Sequence, residues 1–90
     1  MEILKSASAG TMESSDAYVE IEPGRGELEI SLESVVRNQF GEAIMQVIQE
    51  VLTECGVESA IVRVVDRGAL ECVLRARVET AVMRAGKEEK

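Results

Sequence analysis

The spacing of apolar residues changes period along this chain, and that change constrains the fold more than any other feature. From Ala17 to Glu22 the pattern alternates, with Ala17, Val19 and Ile21 set against Tyr18, Glu20 and Glu22. It alternates again from Glu27 to Leu32, where Leu28, Ile30 and Leu32 oppose Glu27, Glu29 and Ser31. Successive side chains of a strand point to opposite faces, so each segment predicts a half-buried strand with one apolar face. Between them lies Pro23-Gly24-Arg25-Gly26, in which Pro fixes φ and the glycines accept positive φ, the chemistry of a hairpin loop. The two strands are therefore expected to pair antiparallel.

The period then lengthens to about 3.6. Val36, Phe40, Ile44, Val47, Ile48, Val51 and Leu52 recur at three- and four-residue steps and predict a helix from about Val35 to Cys55. Ser34 is the expected N-cap, and Gly56 the residue that ends the helix in a left-handed conformation. Phe40, the only Phe, is expected at the centre of the core. Gly41 inside the helix implies either a break or a close approach by a neighbour, and we read it as close approach. Ala60-Ile61-Val62-Arg63-Val64-Val65 reads as a third strand, turned by Asp66-Arg67-Gly68. The last segment fits two patterns: Leu70, Cys72, Leu74, Ala76 and Val78 alternate, while Leu70, Val73, Leu74, Val78, Ala81 and Val82 form a helical stripe. The helix accounts for Val73 and suits Ala69, Ala76 and Ala81, so we read helix to Ala85-Gly86, followed by the frayed tail Lys87-Glu88-Glu89-Lys90. The expected fold is α+β: a small two-layer domain of order β-β-α-β-α, with a short, mainly antiparallel sheet covered on one face by helices. Residues 1–16 form a flexible lead, 17–86 the folded domain and 87–90 the tail.

Composition narrows the partners. Ninety residues make one domain with room for two layers but none for a deep active-site cleft. Seventeen acidic residues against ten basic ones give a net charge of −7, which disfavours nucleic acid and anionic lipid and favours basic protein surfaces. Cys55 and Cys72, far apart and within apolar runs, read as reduced core thiols of a cytoplasmic protein. There is no metal-ligand cluster and no apolar run of about 18 residues to span a membrane, and Met1-Glu2-Ile3-Leu4-Lys5 does not open a signal peptide.

The residues Ala7-Ser8-Ala9-Gly10-Thr11-Met12-Glu13-Ser14-Ser15-Asp16-Ala17 set a serine pair between two carboxylates in a segment of small residues. Such a serine is an accessible hydroxyl without an internal activator, because the chain has no His. It suits modification by another enzyme better than catalysis of its own. Glu13 and Asp16 read first as solvating charges, with Asp16 able to bond a local backbone amide, and second as groups read by a basic surface of a modifying enzyme. Ser15 reads as a turn or capping residue. Arg63, Arg67, Arg75 and Arg77 form either a basic docking edge for phosphates or an acidic partner, or ordinary charge balance on an acidic domain.

Gly10-Thr11-Met12-Glu13-Ser14-Ser15-Asp16, Gln39-Phe40-Gly41-Glu42-Ala43-Ile44, Val65-Asp66-Arg67-Gly68-Ala69-Leu70-Glu71-Cys72 and Leu74-Arg75-Ala76-Arg77-Val78-Glu79, in that order over roughly residues 1 to 86, resemble the acyl carrier protein (gamma chain) of citrate lyase. The resemblance implies that Ser14 carries a phosphoribosyl-dephospho-coenzyme A arm in phosphodiester linkage; Ser15 stands where some relatives have Gly. It further implies that the arm bears acetyl and citryl thioesters between the alpha (transferase) and beta (lyase) subunits as citrate is split to acetate and oxaloacetate. A separate prosthetic-group transferase would install it. The chain would then be a non-catalytic carrier subunit, since the reactive thiol belongs to the arm.

Two other readings stay open at this point. One is the acyl carrier of a related complex, citramalate lyase or malonate decarboxylase; the other is an unmodified protein-interaction adaptor. A four-helix acyl carrier is disfavoured, because the serines precede alternating strands rather than opening a helix.

Overall fold

The computed structural model describes residues 1–86, apart from the side chains of Arg37 and Asn38. Along the chain run β1 (Ala7–Gly10), β2 (Ala17–Pro23), β3 (Leu28–Ser34), α1 (Arg37–Glu54), β4 (Ala60–Asp66) and α2 (Glu71–Gly86). The α+β class and the two layers are as expected, with one strand more at the front of the order. The expected frayed tail, residues 87–90, lies outside the described residues.

The sheet order is β1-β2-β4-β3, antiparallel except for the parallel pair β3 and β4. This corrects the expected hairpin: β2 and β3 are not neighbours, because β4 lies between them. The insertion also has an electrostatic consequence. Paired directly, β2 and β3 would gather the carboxylates of Glu20, Glu22, Glu27 and Glu29 on one face, and like charges opposite one another destabilise a ladder. With β4 between them, Glu20 faces Arg63 and the two form an ion pair at 2.7 Å. The β4 sequence also suits the centre, since Val62 and Val64 are buried on one face and Val65 on the other. The loop expected to close the hairpin instead folds over the start of β4: Gly26 N–H donates to Ser59 Oγ at 2.9 Å, and Ala60 N–H to the Glu27 carbonyl.

Both helices cover the face presented by Ala17, Val19 and Ile21 of β2 and Val62 and Val64 of β4. Helix α2 lies over β1 and β2, α1 lies toward β3, and the helices pack on one another. The α2 stripe is Leu74, Val78, Ala81, Val82 and Ala85, all buried, which settles the last segment as helix. Helix α1 runs unbroken through Gly41 and buries Val47, Ile48, Val51 and Leu52. It ends as expected: Gly56 has φ 72°, its N–H donates to the Thr53 carbonyl, and Val57 N–H donates to Leu52, which is the Schellman pattern.

Its beginning differs in two ways. The helix starts at Arg37, and Ser34, rather than capping it, ends β3 and accepts the N–H of Val36 at 3.1 Å. Phe40, expected in the core, is 54% exposed. It lines an open groove with Val36, Ile44, Val47, Ala69 and Leu74, so its ring is partly covered by apolar neighbours instead of enclosed by them. Cys55 is half-buried, but Cys72, read as a core thiol, is exposed; both are free thiols.

The first sixteen residues are built into the fold more than the sequence suggests. Ile3 is buried in the core, the N–H groups of Leu4 and Lys5 donate to the Ala85 carbonyl, and β1 extends the sheet beyond β2.

Candidate functional site

The serine pair lies in the loop that joins β1 to β2. Gly10 opens this loop with φ +94°, and a Cβ there would overlap the carbonyl oxygen of Ala17, so only glycine lets the two strands close at this point. At the other end, the β2–β4 ladder continues one step beyond its last strand pair, because Arg67 N–H donates to the Asp16 carbonyl at 2.9 Å. The reciprocal bond is displaced by one residue: the Arg67 carbonyl accepts from Ser15 N–H at 2.8 Å. Ser15 and Asp16 thus both oppose Arg67, and Ser15, at φ 66°, is the extra left-handed residue of a β-bulge.

Asp16 fastens the loop. Its Oδ1 accepts from Ala17 N–H at 2.7 Å and Arg77 Nε at 2.9 Å; its Oδ2 accepts from the Thr11 hydroxyl at 2.7 Å and Arg77 Nη2 at 2.9 Å. The bond to its own neighbour's amide is the local role expected of Asp16; the Arg77 clamp is the larger one. Chiefly through the Arg77 guanidinium, then through Thr11 and the Ala17 amide, the carboxyl is held well below the usual carboxylate range. Thr11 Oγ1 also accepts the N–H of Glu13, and Asp16 N–H donates to the Glu13 carbonyl, closing a turn over residues 13–16.

Ser14 projects from the tip of this fastened loop. It is exposed, and its hydroxyl has no hydrogen-bond partner among the described residues. Glu13 and Met12 beside it are exposed as well. No His exists to activate the hydroxyl, and the described residues contain no group of three or more metal-ligating side chains. An unengaged hydroxyl at a loop tip fits a covalently attached group: nothing must be broken to modify it, and nothing shields it.

The basic edge considered from the sequence is not formed. Arg63 pairs with Glu20, Arg75 with Glu50 at 2.7 Å and with Glu71 at 3.1 Å, and Arg77 with Asp16. Only Arg67 of the four is left with its side chain uncommitted among the described residues. Sequence reasoning missed Arg77 as the loop's anchor, because no spacing rule links residues so far apart in the chain.

Comparison with known proteins identifies the family. The family model described as malonate decarboxylase delta subunit (MdcD), an acyl carrier protein family, matches residues 4–85. The chain is 55% identical to the citrate lyase acyl carrier protein of Escherichia fergusonii and 52% identical to citrate lyase acyl carrier protein 2 of Salmonella typhimurium; each alignment covers 98% of this chain and 92% of the relative. Among solved structures, a chain from the crystal structure of a Pseudomonas malonate decarboxylase hetero-tetramer in complex with malonate superposes with a TM-score of 0.81 at 25% identity, covering 96% of this chain and 89% of that one. A matched sequence over nearly the full length, on a matched fold, leads to one conclusion: this chain belongs to the acyl carrier protein family of citrate lyase and malonate decarboxylase.

Proposed function

We propose that this chain is the acyl carrier subunit of citrate lyase and that Ser14 is its attachment residue, bearing phosphoribosyl-dephospho-coenzyme A through a phosphodiester. The observation that carries the reading is the Ser14 hydroxyl, exposed and unengaged at the tip of a loop whose base is fastened by Asp16 and Arg77. Ser15 is the less suitable serine, since its main chain is pinned to Arg67 in the bulge. When bound, the arm supplies a thiol that holds acyl groups as thioesters. The chain's own residues present the attachment point and keep its base from moving. Because no side chain among the described residues hydrogen-bonds the Ser14 hydroxyl, the transferase that modifies it supplies the group that takes up the hydroxyl proton.

In this reading the partners are the alpha and beta subunits of citrate lyase, between which the carrier delivers its acyl group, and the setting is the cytoplasm, in keeping with two free thiols. The higher identity to citrate lyase carriers favours citrate over malonate as the acid served. Tethering gives the acyl group an effective concentration of about millimolar at each active site, which free diffusion would not supply.

Co-expression with the citrate lyase prosthetic-group transferase tests the reading. Intact mass should rise by one arm per chain, and peptide mapping should place it on Ser14. An unchanged mass, or a group mapped elsewhere, refutes the assignment. Reconstitution of the loaded carrier with alpha and beta subunits should restore citrate cleavage; activity restored only with malonate decarboxylase subunits would move the chain to that complex.

A further inference from the structure

We propose that Arg67 is the anion-holding residue of the attachment site, its guanidinium pairing with the phosphodiester on Ser14. The inference rests on the Ser14 reading above and assigns a positioning role to a residue outside the loop itself.

Three observations converge on it. The first is placement. Both main-chain groups of Arg67 are bonded to the loop, its N–H to the Asp16 carbonyl and its carbonyl to Ser15 N–H, so Arg67 lies opposite Ser15 and Asp16, with Ser14 the next residue along the loop. The left-handed Gly68 that follows turns the chain away, which makes Arg67 the last residue of the ladder and fixes its register.

The second is availability. Arg25, Arg63, Arg75 and Arg77 are paired with carboxylates, and Arg84 donates to the Ser8 carbonyl at 2.8 Å. Arg67 is exposed and has none of these engagements among the described residues. The carboxylate nearest in register, Asp16, cannot recruit it. A carboxylate offers about four acceptor sites, and those of Asp16 are filled by Ala17, Thr11 and the two bonds from Arg77.

The third is need. Modifying Ser14 places a permanent negative charge next to exposed Glu13 on a chain of net charge −7, and like charges at this distance repel. A planar guanidinium matches the two non-bridging oxygens of a phosphodiester, so Arg67 offsets that repulsion and limits the directions in which the arm can leave the loop.

The test compares unloaded carrier with carrier shown by mass to be loaded on Ser14, as wild type, Arg67→Gln and Arg67→Lys. In wild type the Arg67 Nε–H proton resonance should shift on loading. At low ionic strength the phosphorus resonance of the protein-linked phosphodiester should differ between wild type and Arg67→Gln, with Arg67→Lys between them, and the difference should collapse at 1 M salt as screening shortens to about 3 Å. An Nε–H resonance indifferent to loading overturns the proposal, as does a shift seen only after the alpha or beta subunit is added, which would assign Arg67 to a partner carboxylate. Should Arg67→Gln resist loading, the wild-type Nε–H comparison decides alone. A wild-type carrier that takes no arm on Ser14 refutes the Ser14 reading itself and is told apart by its mass.

Discussion

Arg77 on α2 grips Asp16 with two parallel hydrogen bonds of 2.9 Å, joining residues 61 positions apart and tying the last helix to the base of the loop that carries Ser14. The Asp16 side chain is 14% exposed and that of Arg77 38%. The clamp is therefore shielded on one side and wet on the other. Asp16→Asn should cost about 1–2 kcal/mol at pH 7, the range for a charge-assisted bond discounted for the solvent around Arg77. The folded-state pKa lies below the unfolded value, so this stability is present above the ordinary carboxylate range and is lost as pH falls. In urea titrations the gap between wild type and Asp16→Asn should be constant above about pH 5 and narrow progressively below about pH 4, where the unfolded carboxyl takes up its proton first. A gap that widens in acid would contradict the clamp.

Substitution at the serine pair should separate attachment from geometry. Ser14→Ala should abolish loading and lyase activity yet leave the unfolding midpoint unchanged, since the lost hydroxyl has no partner. Ser15→Gly should load normally and gain about 0.5 kcal/mol, because glycine relieves the left-handed strain at the bulge more than it adds unfolded-state freedom. Ser15→Val should lose about 1–2 kcal/mol for the opposite reason. Intact mass and denaturant midpoints of the same three variants check all of this.

The exposed position of Phe40 reverses what its being the only Phe suggests about stability. Phe40→Ala should cost less than about 1 kcal/mol, whereas Leu52→Ala, on the buried face of the same helix, should cost about 2–5 kcal/mol. Equal losses in paired unfolding curves would place Phe40 back in the core.

Hydrogen exchange should divide the residues before β2 into two kinds. The β1 amides that bond β2, together with those of Ser15 and Asp16, should be protected, while Met12 and Ser14 should exchange freely. Uniformly fast exchange from residue 6 to residue 16 would mean that β1 does not hold in solution.

Most single elements could be read from local pattern, because period and end signals are local: the α1 stripe, its Gly56 terminus, the alternation of β2 and β3, and the apolar run of β4. Strand β1 escaped because Ala-Ser-Ala-Gly has no β-branched or large side chain to mark it. The order of strands escaped because it depends on how segments pair across the sheet, and a pairing such as that of Glu20 with Arg63 is not visible in either segment alone. Ser14 was legible as an accessible hydroxyl, and the match to a family sharpened it. The clamp that steadies it was not, since Arg77 looks like any other arginine on a helix until the fold brings it to Asp16.

The same long-range tie bears on synthesis. During translation Ser14 leaves the ribosome early, but the ladder at the loop's base waits for Arg67 and the grip on Asp16 waits for Arg77. A nascent chain or a fragment that stops after β4 carries the serine without the grip that fixes its surroundings. Any enzyme that recognised the closed loop would therefore act only on chains whose final helix is in place.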